Sequence, residues 1–255
     1  MITRRTLEEF ARKQKLSLGN AEKDYLLDLA LRSISQHCPK ELIFKGGTCL
    51  YKFHHLPRFS EDLDFSGLKM IDIHAFIQHI IADLEKEGIE TQQHTRKEPH
   101  NSVLITLRLK GPLLNQSPMS AASVGIDINF KSEVVLAAEQ KKYESIYPGV
   151  GSISIQCMDQ QEIFAEKIRA FLTRFKARDL FDIYFLLHQD ISASKKLIQT
   201  KMDYYQETFS LPTILEKISL FESIWHKEIS GLTKDPLLFE EVSVFVKKKM
   251  KEKYT

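Results

Sequence analysis

The stretch Phe44–Phe65, FKGGTCLYKFHHLPRFSEDLDF, holds two carboxylates one residue apart, Asp62 and Asp64, downstream of a turn made by Gly46, Gly47 and Thr48. In an extended strand residues i and i+2 face the same way, so the two acids would stand side by side. Like charges that close destabilise one another unless a cation or a shared proton compensates them. Glycines let a backbone approach a phosphate closely, and Thr48 adds a hydroxyl. A third acid, Asp127, lies in VGIDINF between Ile126 and Ile128, on the face opposite to theirs. Mg²⁺, or Mn²⁺ in its place, would take Asp62, Asp64 and Asp127 as ligands and keep positions for water and substrate phosphates. A phosphate cradle beside such a hard-cation site is the equipment of metal-dependent phosphoryl or nucleotidyl transfer.

The surrounding pattern supplies elements to hold these groups. Leu42-Ile43-Phe44 reads as a strand that enters the Gly-Gly turn, and Thr48–Phe53 as a short helix stopped by Pro57. The amides at such a helix N-terminus favour an anion. Phe59–Phe65, Val103–Leu109 and Val124–Phe130 read as strands, and Asp72–Gly88 as an amphipathic helix closed by Gly88. Upstream, the apolar spacing of Leu26, Leu29, Ala30 and Ile34 predicts a helix over 20–37 with Asn20 as its N-cap. Beyond residue 158 the pattern turns helical, over 159–174, 177–189, 192–206, 212–229 and 235–250. The expected architecture is α/β, a small mixed sheet with flanking helices over 1–158, followed by a helical domain over 159–255.

Composition sets the class. At 255 residues, 43% hydrophobic and 27% charged, the chain has the make-up of a soluble globular protein. No apolar run reaches the roughly 18 residues of a membrane span. The charged start MITRRTLEEFARKQK lacks the apolar core of a signal peptide, and Cys38, Cys49 and Cys157 show no CxxC spacing. A cytoplasmic protein with reduced thiols and no membrane partner is the expectation. The net charge of +2 does not by itself announce a nucleic-acid partner.

Several other residues carry weaker signals. Arg58 and Ser60, just ahead of the acidic pair, could touch a phosphate, whereas Lys52 reads as a solvated helix residue. Adjacent His54 and His55 have no companion that completes a zinc spacing. Ser60 has no His–Asp set that would make it a hydrolase nucleophile. Between Lys167 and Arg178 stand Arg169, Arg174 and Lys176 as well. On a continuous helix Lys167, Arg174 and Arg178 share a face, a cationic surface suited to a triphosphate. Arg169 and Lys176 read as solvated, and Trp225 as core.

Taken together, Gly46-Gly47-Thr48, Asp62-Leu63-Asp64-Phe65 and Ile126-Asp127-Ile128 resemble the nucleotidyltransferase fold of the DNA polymerase beta superfamily. The segments FKGGTCLYK, RFSEDLDFS and AEKIRAFLTRFKARDLFDIYFLL are similar, more narrowly, to the AbiEii/AbiGii toxin family, which includes MenT-type transferases. The resemblance covers about residues 40–190. It implies a nucleoside triphosphate as donor, an RNA acceptor such as a tRNA 3′ end, and an antitoxin partner. It also places Lys167, Arg178, Asp179 and Asp182 at the family's C-terminal motifs. Two other functions remain open on the residues alone. The same metal site would serve a protein or small-molecule hydroxyl as acceptor, and the fold could persist as a catalytically silent nucleotide- or RNA-binding module.

Overall fold

The structure is a computed structural model that describes residues 1–37, 40–99, 101–114, 121–131, 133–233 and 237–255. Cys38 and the first two residues of the helix expected over 235–250 lie outside the described residues. The chain divides into two compact units. The first comprises Met1–His55, Phe59–Glu133 and Ala138–Cys157, and the second Leu56–Arg58, Val134–Ala137 and Met158–Thr255.

The first unit is built on a mixed sheet. Its strands are β1 (Leu42–Lys45), β2 (Asp62–Gly67), β3 (Glu90–Lys97), β4 (Ser102–Lys110), β5 (Ala122–Asn129), β6 (Glu139–Glu144) and β7 (Ser152–Cys157). Among the described residues they are ordered β3-β4-β5-β2-β1-β7-β6. The two central pairings set the register of the acidic strands. β2 runs antiparallel to β1 and parallel to β5. Alternation along β2 and β5 buries Leu63, Phe65, Ile126 and Ile128 on one face and turns the aspartates to the other.

The helices of this unit are α1 (Arg4–Gln14), α2 (Leu18–His37), α3 (Gly46–His54) and α4 (Ile73–Lys86). The charged N-terminal stretch thus forms a helix, capped by Thr3, whose hydroxyl accepts from the Thr6 amide. The cap expected of Asn20 belongs to Ser17. Its hydroxyl accepts from the Asn20 amide at 3.1 Å, and α2 starts two residues earlier than predicted. α2 is buried along most of its length, as an apolar helix packed on several sides must be. Asp72 caps α4, its carboxylate accepting from the Ala75 amide at 3.0 Å.

One feature of this unit overturns a sequence expectation. Lys52, read as solvated, is buried and pairs with Asp24 and Asp28 of α2, at 2.6 Å from each. Tyr147 donates to Asp24 at 3.0 Å and Ser145 to Asp28 at 2.5 Å. Burial alone would lower the Lys52 pKa, but the two carboxylates outweigh it and hold the ammonium well above its ordinary value. Burial in turn pushes Asp28 up, against the pull of Lys52.

The second unit is helical, with α5 (Gln160–Thr173), α6 (Ala177–His188), α7 (Lys195–Asp203), α8 (Leu211–Leu220), α9 (Glu222–Ile229) and α10 (Phe239–Tyr254). The helix expected over 212–229 is two, parted at Phe221, whose ring is buried and stacked 5.0 Å from Phe171. Trp225 is core as expected, and its indole N–H donates to the Leu237 carbonyl at 2.9 Å. Glu162 clips the 134–137 segment to α5. Its carboxylate accepts from the amides of Val135 and Leu136 at 2.9 and 2.8 Å and pairs with buried Lys201.

Candidate active site

Sheet register places the three aspartates on one face. Asp64 is the Cα partner of Asp127 across the parallel β2–β5 pair, and Asp62 is the partner of Gly125. Paired residues on neighbouring strands project from the same face, so all three carboxylates share it. Asp62 is exposed, and Asp64 and Asp127 are half-buried. On the other side of Asp64 stands buried Lys45, its antiparallel partner in β1. The next row confirms the facing, because Phe44 and Phe65 are also partners and their rings lie 5.1 Å apart on the opposite side.

Two glycines make room for these carboxylates. A Cβ on Gly125 would come within 2.6 Å of Asp62 Oδ1. A Cβ on Gly46 would collide with the Asp64 carboxylate and come within 2.9 Å of its Cβ. Gly46 also has φ of +76°, a left-handed conformation that side chains resist. The turn therefore lays the start of α3 against Asp64. The free amides of that first helical turn provide the anion-favouring end predicted for the Gly-Gly-Thr motif.

Thr48 plays a part different from the expected one. It is fully buried, and its hydroxyl donates to the Asp62 carbonyl at 2.5 Å. That bond ties α3 to the first residue of β2 and commits the hydroxyl to the backbone, which leaves the amide as the group suited to a phosphate. Ser60 is half-buried in the segment leading into β2. His54 is buried and His55 is exposed at the end of α3, where His55 forms a left-handed C-cap.

The donor set fits a hard divalent cation. Carboxylate oxygens on one face, kept open by Gly125 and Gly46, are the ligands Mg²⁺ and Mn²⁺ accept. Among the described residues no group of three or more His, Cys, Asp or Glu side chains is arranged to hold a metal ion. Mg²⁺ in phosphoryl-transfer sites takes one or two carboxylates and completes its shell with water and phosphate, so an open acidic face suffices.

The remaining predicted residues belong to the second unit, where Arg58, Lys167, Asp179 and Asp182 form a buried ionic network. Arg58 grips Asp182 with two hydrogen bonds, Nε to Oδ1 at 2.6 Å and Nη2 to Oδ2 at 2.7 Å. Lys167 lies 2.7 Å from Asp182 Oδ2 and 3.6 Å from Asp179 Oδ1, with its side chain 10% exposed. Arg174 adds a fork onto Asp179, at 2.6 and 2.8 Å. Burial would raise both acids, but Arg58 and Lys167 hold Asp182 below the usual carboxylate range. Arg174 and Lys167 do the same for Asp179. The continuous cationic helix face is not present. α5 ends at Thr173 and Arg174 is extended, so Lys167 and Arg174 meet through Asp179. Arg178 is half-buried on α6, and Lys176 is exposed as expected. Arg169 lies with its guanidinium 4.3 Å from the exposed Tyr205 ring.

Lys45 and Gly125 are the site residues that the sequence reading passed over. A glycine inside a strand marks close approach by another group, and this signal was available at Gly125. Nothing in the sequence alone gives the register that sets Lys45 opposite Asp64.

Three solved structures share this fold. MenT4, a nucleotidyltransferase toxin of Mycobacterium tuberculosis H37Rv, is 21% identical with a TM-score of 0.72, over 98% of this chain and 89% of that one. JHP933 of Helicobacter pylori is 19% identical with a TM-score of 0.54, over 93% of this chain and 92% of that one. A putative nucleotidyltransferase of H. pylori is 18% identical with a TM-score of 0.57, over 93% and 95%. Among curated protein sequences none matches. Residues 30–243 match the family model of the nucleotidyl transferase AbiEii toxin of type IV toxin–antitoxin systems. Matched over that span, the chain belongs to the AbiEii family of nucleotidyltransferase toxins.

Proposed function

We propose that this toxin transfers a nucleoside monophosphate from a nucleoside triphosphate to an RNA acceptor, a tRNA 3′ end, in the cytoplasm, and that a cognate antitoxin protein restrains it. The observation that carries the reading is the register of Asp64 with Asp127, with Asp62 beside them on the same face. Asp62, Asp64 and Asp127 would hold Mg²⁺ or Mn²⁺. Such an ion supplies charge neutralisation of the triphosphate and a more acidic attacking hydroxyl. The backbone amides of Gly46, Gly47 and Thr48 bind phosphate oxygens at the start of α3. The acceptor hydroxyl oxygen forms a bond to the α-phosphorus, its proton passes to the Asp127 carboxylate, and the bond to the leaving pyrophosphate breaks. Lys167 is assigned to phosphate on the family resemblance, with Asp182 and Asp179 holding its ammonium and Arg58 gripping Asp182. Arg178 is assigned to the nucleotide on the family resemblance, and Ser60 on its place just ahead of the acidic pair.

Family membership supports the transferase and toxin parts of this reading. The RNA acceptor rests on the resemblance and on cation–aromatic surface such as half-buried Arg169 over the exposed Tyr205 ring, on which bases can stack. No helix among the described residues is long and apolar enough to cross a membrane. The test is incubation with each labelled nucleoside triphosphate, Mg²⁺ and total RNA. Label on RNA is expected. Label on protein or on a small molecule would move the acceptor to another hydroxyl, and no transfer at all would leave a silent binding module.

A further inference from the structure

Lys45 has no place in the scheme above, yet it occupies the same cross-strand row as Asp64 and Asp127. The register runs Lys45–Asp64 across β1 and β2, then Asp64–Asp127 across β2 and β5. Lys45 is buried, and it immediately precedes Gly46, whose backbone approaches the Asp64 carboxylate. A buried ammonium next to in-register carboxylates supplies the compensation that two adjacent like charges require.

We infer that Lys45 is the positioning residue of the acidic row: it compensates Asp64 and Asp127 when no divalent ion is bound, and so sets how tightly an ion binds. This inference rests on the reading of the three aspartates as a metal site. An ion that joins the row must share those carboxylates with a cation already there. Lys45 therefore stabilises the metal-free protein and weakens metal binding. A weak intrinsic site is one that fills chiefly when the donor's phosphates arrive to add ligands.

Two measurements test this, neither of which needs turnover. The first is a double-mutant cycle of thermal unfolding in EDTA with Lys45→Met, Asp64→Asn and the double variant. Lys45→Met is expected to lower the melting temperature in the wild-type background and to do so much less when Asp64 is already neutral. The second is a Mn²⁺ titration, followed by electron paramagnetic resonance, of wild type, Lys45→Met and Lys45→Arg. Lys45→Met is expected to bind Mn²⁺ on the order of tenfold tighter, since a competing positive charge is lost from the row, while Lys45→Arg stays near wild type. An equal loss of melting temperature in both backgrounds overturns the charge pairing, whatever the metal does. Wild-type Mn²⁺ binding that Lys45→Met leaves unchanged overturns the control of affinity alone. Binding by no variant at all overturns the metal reading and this inference with it. Should Lys45→Met fail to fold, the folded double variant compared with Asp64→Asn still decides the pairing.

Discussion

Asp64 and Asp127 are 63 residues apart in sequence yet are direct Cα partners on the parallel strands β2 and β5. Parallel pairing in register puts their carboxylates on one face, where like charges oppose folding unless a cation joins them. The sheet is thus built around an electrostatic cost, and the Gly46 turn is laid against it.

Gly125→Ala tests how closely that face is shaped. The new Cβ would lie 2.6 Å from Asp62 Oδ1 and must displace the carboxylate. Because misplacement of a catalytic group by an ångström is costly, transfer should fall on the order of 100-fold with little change in melting temperature. Gly46→Ala should in addition lose about 1–2 kcal/mol of stability, because φ is +76° there. Steady-state transfer rates and thermal melts of both variants check this.

Asp182→Ala should be severely destabilising. It leaves Arg58 and Lys167 without the buried carboxylate that both of them grip, a loss of about 3–5 kcal/mol. Lys176→Ala, at an exposed helix start, should change stability by no more than about 0.5 kcal/mol. Urea unfolding of the two variants provides the comparison.

The same network makes the protein sensitive to acid. Asp179 and Asp182 are held below their ordinary values in the folded state. Their contribution is present above the unfolded carboxylate value of about 3.9 and is lost as pH falls through the lower folded values. Asp28, pushed up by burial, works the other way, gaining a proton in the folded state as pH drops. The melting temperature should therefore fall below about pH 4, and the fall should be shallower in an Asp182→Asn variant. Parallel pH dependences of wild type and variant would assign the acid sensitivity elsewhere.

Lys52→Met should unfold the first unit more readily, by about 3–5 kcal/mol, because Asp24 and Asp28 would be left buried and uncompensated. Adding Asp28→Asn should recover part of that loss. Thermal melts of the single and double variants measure the recovery.

What could be read from sequence follows from where each residue's signal arises. The alternation in DLDF and in VGIDINF is local, so β2, β5 and the shared face of Asp62 and Asp64 were legible. The periodic apolar run closed by Gly88 marked α4, and the apolar spacing after residue 158 marked the helices. β3 and β6 were not legible because they form the two edges of the sheet. Their sequences ETQQHTRK and EQKKYE carry the polar, charged residues that protect an edge and show almost no apolar alternation. Lys52 looked solvated because a lysine in an isolated helix should be. Asp24 and Asp28, a turn apart on α2, reverse that preference only once α2 and α3 are packed. Lys167 and Arg174 likewise meet through Asp179 after the helix breaks, a relation that no single-helix projection contains.

The central claim is that nucleotide transfer depends on the Asp64–Asp127 pair. Its most direct test is the rate of label transfer from an α-labelled nucleoside triphosphate to RNA, measured for wild type, Asp64→Asn and Asp127→Asn at matched folded concentration, with melting curves recorded alongside. The account predicts loss of transfer to near background in both variants, with each still folded. Transfer at the wild-type rate by either folded variant would contradict it.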